Sequence, residues 1–342
     1  MNTSRQKRGD PWFDDGNIIL VTGSNDEAIA FRVHRSVLSR HSEVFQSMFE
    51  VAKPPPDSEH VDQCPVVHMP DLPNELSILI KALYDGVGFP IQNRSIHDFY
   101  YVTAILRLST KYCIGHLRAE AVRYLTRTWS YTLHGHDTML ELALKAAAVD
   151  GLSYPFVHPL HVLHLARLTD VRIIIPSALY FLSLYPLSDL LAGNHPKLQV
   201  DNPSRLSSEL TAEDLRDYTL MYQYRITGIM NFVRRLCVQH IPAVGCSGGR
   251  DCMKAFATLG ARLSSDWVPR TGPLHFMVQA MDELANYSNA CASCRKAFRQ
   301  DVTAARELFW KEMPTTVGLP PWEELEQDLN LPPLPNISAP TF

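Results

Sequence analysis

The sequence predicts an α+β chain: a small three-stranded sheet covered by helices at the N-terminus, followed by a mainly α-helical C-terminal region. Three observations carry this. The run Ile18-Ile-Leu-Val21 is continuously apolar after the turn signal Asp14-Asp-Gly-Asn17, as a strand buried on both faces must be. Ile29, Phe31 and Val33 then alternate with Ala28, Ala30 and Arg32, the period of a second strand. Beyond Arg127 no stretch alternates convincingly, while helical spacings recur.

Taken in order, residues 1–11 are polar and are expected to be a disordered tail. The turn residues of Thr22–Glu27 join the first two strands as a hairpin. His34–Leu38 and Ser42–Phe49 follow as two short helices, with Ser42 as N-cap. Val51–Gln63 is Pro-rich and polar, hence a loop. Val66, Val67 and Met69 make the third strand, ended by Pro70. Leu76, Leu79, Ile80, Leu83 and Tyr84 fall on one helical face, and Asp85-Gly86 ends that helix. Two more helices carry Phe99, Val102 and Leu106, then Ile114, Leu117, Ala121 and Leu125.

In the second region, helices are expected near 137–149, 157–170 and 177–192. The longest begins at Thr211, with Asp214 three residues on. Its inward face is read as Leu215, Tyr222, Ile226, Ile229, Val233 and Leu236. A last helix covers 295–312. The division is therefore a tail (1–11), a mixed unit (12–128), a helical unit (129–313) and a Pro-rich tail (314–342), in which Leu331–Phe342 is not helical.

The composition narrows the function. A formal net charge of −4 offers no electrostatic footprint for nucleic acid or an anionic membrane. The apolar stretch 171–191 is broken by Arg172, Pro176, Pro186 and Asp189, so it reads as buried helices rather than a membrane span. No secretory signal is legible, which points to a cytoplasmic or nuclear location. In that setting the seven cysteines are thiols or metal ligands rather than disulfides.

The segment Phe31-Arg-Val-His-Arg-Ser-Val-Leu38, continued by Ser42-Glu-Val-Phe-Gln-Ser-Met-Phe49 and preceded by the apolar first strand, closely resembles the opening of BTB/POZ domains. The resemblance covers 12–128. With its Pro-Pro-Pro loop, its third strand and a late Leu319–Leu325 (LPPWEEL), the chain resembles the BTB proteins of mushroom-forming fungi. The resemblance implies a homodimer formed through the first strand and first helices. It also implies, in some relatives, a charged pocket between a first-strand aspartate and the arginine matched by Arg35. The aspartate position is occupied here by Asn17, with Asp15 two residues earlier. Many relatives bind a cullin, but the short apolar-x-Glu signal for that is replaced here by the Pro-rich loop. Phe31, Leu38, Phe45, Met48 and Phe49 are core, and His34 packs at the strand-to-helix junction.

Chemistry is concentrated late in the chain. Cys291 and Cys294 form a C-x-x-C at a helix start, and Cys246 and Cys252 bracket the Gly-rich Ser247–Asp251. Together they could hold one Zn²⁺; Cys237 with His240 offers a competing pair, and buried free thiols or a redox role stay open. His158, His161 and His164 diverge around a helix and do not converge on a metal. No phosphate loop, dinucleotide fingerprint, nucleophile elbow or HExxH is present. The function that emerges is a non-enzymatic interaction adaptor. Its rivals are a transcriptional regulator, for which no DNA-binding module is visible, and an enzyme with an unrecognised C-terminal site.

Overall fold

The structure is a computed structural model that describes residues 7–23, 28–51, 60–89 and 95–327. Most of the first hairpin turn, most of the Pro-rich loop and the segment Leu331–Phe342 lie outside the described residues.

The sheet is built on β2 (Ile18–Thr22), whose five residues are all buried. It pairs antiparallel with β3 (Ile29–Val33), Leu20 opposite Phe31, and parallel with β5 (Cys64–Met69), Leu20 opposite Val67. Alternation sends Ile18 and Leu20 into the main core, while Ile19 and Val21 meet Ala28, Ala30 and Cys64 on the opposite face. The sheet has five strands rather than the expected three. A two-residue β1 (Lys7–Arg8) adds parallel to β3, and a two-residue β4 (His60–Val61) adds to β5. Residues 7–11 are therefore not a disordered tail: the Lys7 and Gly9 amides donate to the Ala28 and Ala30 carbonyls. Phe31 packs so closely under Gly9 that a Cβ there would come within 2.5 Å of its ring.

Helices α1 (Arg35–His41) and α2 (Glu43–Val51) meet at Ser42, whose Oγ accepts from the Phe45 amide and donates to the Tyr112 carbonyl. Then come α3 (Pro73–Asp85), α4 (Ile96–Lys111) and α5 (Gly115–Thr128). Gly86 ends α3 at φ +81°, a conformation that costs glycine little.

Among the described residues the second region is mainly helical, with an isolated bridge between Val149 and Leu152. It comprises α6 (Leu133–Lys145), α7 (Pro159–Leu168), α8 (Ile175–Leu182) and α9 (Leu187–Ala192). The helix expected at 177–192 is thus two helices, split before Pro186. Every residue of α8 is buried, and no helix among the described residues is long and apolar enough to cross a membrane. The long α10 (Ala212–Phe232) starts with a reciprocal Thr211–Asp214 cap and continues into a π-turn (Val233–Val238). Its buried face is Asp214, Asp217, Tyr218, Met221, Arg225, Ile229 and Phe232, so Leu215, Tyr222 and Ile226 are only half-buried.

Two further helices lie where no element was assigned from the sequence: α11 (Gly249–Asp266) and α12 (Pro273–Tyr287). The last two are α13 (Ala292–Thr316), which as an unbroken α-helix is longer than α10, and α14 (Trp322–Gln327). Residues 314–327, assigned from the sequence to the Pro-rich tail, are folded onto the main core: Trp322 and Leu325 are buried, and the Trp322 indole stacks on Trp310 and donates to its carbonyl.

Two large cores result. The main one runs from the sheet through α3–α5, α7 and α8 to Trp322, crossing position 128 without a break. The second is a separate lobe of the α10 C-terminus, the π-turn, α11, α12 and the first half of α13.

Candidate functional site

Two places carry the residues singled out above. The first is the junction of β2, β3 and α1. The Arg35 amide donates to Asn17 Oδ1 at 2.8 Å, and the Arg35 guanidinium donates to the Phe49 carbonyl at 2.7 Å. Asp15 turns to His34 instead, its Oδ1 lying 3.3 Å from His34 Nε2. Neither side chain at 15 or 17 therefore makes a carboxylate pair with Arg35. His34 is further fixed by the Tyr84 hydroxyl, which meets its Nδ1 at 3.0 Å and accepts from its amide. Phe31, Leu38, Phe45 and Phe49 are buried, while Met48 is half-buried. Asn17, Arg35, Ser36, Arg40, Gln46 and Glu50 border a shallow polar depression on this face.

The second place is the tip of the distal lobe. The four late cysteines converge, with all four sulfurs within 4.8 Å of one another. Cys246 Sγ lies 3.7 Å from Cys252 Sγ and 3.8 Å from Cys291 Sγ. The local fold explains the convergence. Cys291 is the N-cap of α13 and Cys294 lies in its first turn; Cys252 lies in the first turn of α11. The segment expected as a Gly-rich loop between Cys246 and Cys252 is loop only to Gly248, after which α11 begins. Gly248 is required by close approach: a Cβ would sit 2.4 Å from the Cys252 sulfur. Neither Cys237 nor His240 joins the cluster; Cys237 is buried and His240 stacks on Phe256.

Backbone amides surround the sulfurs. The Cys291 amide donates to Cys252 Sγ at 3.2 Å and the Ala243 amide to Cys294 Sγ at 3.4 Å. The amides of Cys294, Ser247 and Gly248 hydrogen-bond the Cys291 sulfur and lower its thiol to about 5. Desolvation pushes the Cys294 thiol up. Cysteine spacing pointed to the four thiols that converge; the amide donors and the role of Gly248 depend on the loop's path, and only the Gly-Gly pair hinted at it.

The histidines are structural. His158 caps α7 through Nδ1, accepting from the Leu160 amide, and His161 reaches the Tyr100 hydroxyl at 3.4 Å. His164 meets Asp214 at 3.0 Å, joining α7 to α10. A groove of about 400 Å³ between α10 and α13 is mostly apolar, lined by Phe232, Leu236, Met277, Ala305, Leu308 and Phe309.

Residues 17–128 match the family model of the BTB/POZ domain. No curated protein and no solved structure matches the chain.

Proposed function

We propose, from the premise that residues 17–128 are a BTB/POZ domain, that the chain is a non-enzymatic adaptor which self-associates through that domain and presents its helical region to another protein. A BTB/POZ domain is a protein-interaction module rather than a catalytic one, and the match over 17–128 is the observation that carries the reading. The described geometry is compatible with it. The face made by α1 and α2 exposes Ser36, Arg40 and Gln46, while Leu38 and Phe45 hold both helices to the core from behind. A cullin is one partner this class of adaptor would take. A role as transcriptional regulator remains the rival reading, favoured by no residue described here.

Light scattering on the full chain at high micromolar concentration should give twice the monomer mass. Ser36→Arg, on the exposed side of α1, should weaken that association without lowering the melting temperature. A strict monomer at the highest concentration tested overturns self-association. Affinity capture that recovers a cullin supports the ligase-adaptor reading, and retention on DNA in its place supports the rival.

A further inference from the structure

The four cysteines at the tip of the distal lobe are not used by the interaction module, and their arrangement is specific. We infer that Cys246, Cys252, Cys291 and Cys294 bind one structural Zn²⁺ that clasps the N-termini of α11 and α13 and closes the second core.

The sulfur spacing is the first argument. A tetrahedral Zn²⁺ with bonds of about 2.3 Å places its sulfurs about 3.8 Å apart. Two of the six sulfur pairs lie at 3.7 and 3.8 Å, and all six lie within 4.8 Å. A disulfide would instead need sulfurs about 2.0 Å apart. Four protein ligands also fill the tetrahedron, leaving no open position for substrate, which is the form of a structural rather than a catalytic site.

The surroundings of the sulfurs are the second argument. Four thiolates around one divalent ion leave a net charge of −2, which a partly buried site must neutralise. Amides of Ala243, Ser247, Gly248, Cys291 and Cys294 all point at the sulfurs. The positive ends of two helices, 18 and 25 residues long, face the same point. Cys252 and Cys294 are fully buried, and Cys246 and Cys291 are half-buried, so the ion would be shielded but reachable from the loop side.

The third argument is what the loop lacks. Between the π-turn and α11 the chain has no regular secondary structure, and Ile241 and Val244 are 83% and 103% exposed. The loop has little apolar surface to anchor it. Beyond His240, which stacks on Phe256, its fixed points are Ala243 and Cys246, and both engage the cluster. An ion bound there supplies the closure that packing does not.

Loading releases protons: each sulfur that is still protonated gives its proton to solvent as it bonds the ion. No electron is transferred.

The test uses the full chain, purified under reducing conditions with neither zinc nor chelator added. Elemental analysis should give about one zinc per chain. Cobalt exchanged into the site should show the ligand-field and charge-transfer absorption of tetrahedral thiolate coordination. Cys294→Ser and the less buried Cys246→Ser should each lose the ion, whereas Cys113→Ser and Cys237→Ser should keep it. Because Cys294 is fully buried and its replacement also acts on packing, Cys246→Ser and metal removal from the unaltered chain, followed by thiol counting, give independent readings. A folded chain that carries no zinc and takes up none when zinc is supplied overturns the inference. So does zinc retained by both Cys246→Ser and Cys294→Ser, and so does a mass showing the four thiols joined as disulfides.

Discussion

At the scale of single residues, the helical spacing of the N-terminal unit translates directly into burial. Phe45 is fully buried, with its ring stacked on Tyr112 at 4.4 Å and near Phe49 at 5.8 Å. Phe45→Ala should cost on the order of 3–5 kcal/mol, the transfer loss of the ring plus the cavity left among partners that cannot fully collapse. Denaturant titration of the full chain checks this, and a loss under about 1 kcal/mol would show that the site relaxes around the gap. This residue was legible because apolar side chains at helical intervals have few alternatives to a core. Asn17 and Asp15 were legible as candidates but not in their partners. Whether a carboxylate at 15 reaches 34 or 35 depends on the turn from Phe13 to Gly16, which sequence spacing does not determine.

At the scale of elements, polar residues on buried faces are what the sequence concealed. The face of α10 turns inward on Asp214, Asp217 and Arg225, so a search for apolar periodicity rotates the helix away from its true orientation. Arg225 is fully buried and donates to the Ser183 hydroxyl and to the carbonyls of Ser183, Pro269 and Thr271. It ties α10 to the end of α8 and to the turn between α11 and α12. Arg225→Leu would leave those neutral acceptors without their donor and should destabilise the protein by roughly 3 kcal/mol or more, at about 1–3 kcal/mol for each buried acceptor left unsatisfied. Thermal unfolding of the variant should shift strongly downward, and an unchanged transition would mean that water takes over the acceptors. Helix α11 was not among the expected helices. It carries Gly260, where a Cβ would meet Val238 at 2.9 Å, so the glycine serves close packing against the π-turn. The Thr211–Asp214 cap, in contrast, was readable because its chemistry is local.

At the scale of the molecule, the long-range seams decide what the sequence could not. Arg118 donates to the Thr169 and Asp170 carbonyls and Tyr100 meets His161, so the mixed unit and the helices after it share one core; within the helical unit Trp310 donates to the Tyr131 carbonyl. Partners some 50 to 180 residues apart leave no periodic trace. That core buries histidines in neutral form. Desolvation pushes His136 down to about 4, His158 to about 2 and His161 to about 4 from an ordinary 6.5. Below 6.5 the unfolded chain takes up protons that the folded chain refuses, so stability falls as pH falls through this window. Each of the three should cost roughly 2 kcal/mol on going from pH 7 to pH 5. Denaturation midpoints across that range check the sign, and a flat profile would show that the histidines find proton acceptors when the core loosens. His136→Phe, in its nest of Tyr180, Phe181 and Trp310, should flatten part of the slope.

The placement of tryptophan gives this architecture an optical consequence. Trp129, Trp310 and Trp322 are buried in the main core, and Trp12 packs beside the outer face of the sheet. Trp267 is the tryptophan set against the second cluster. Emission from Trp267 therefore reports the lobe that holds the cysteines. The parallel Trp310 and Trp322 rings, 5.4 Å apart with 9° between their planes, form a chromophore pair whose circular dichroism reports the other core. The chain is in effect labelled in two colours of information, one for each half of its interior, without any added dye.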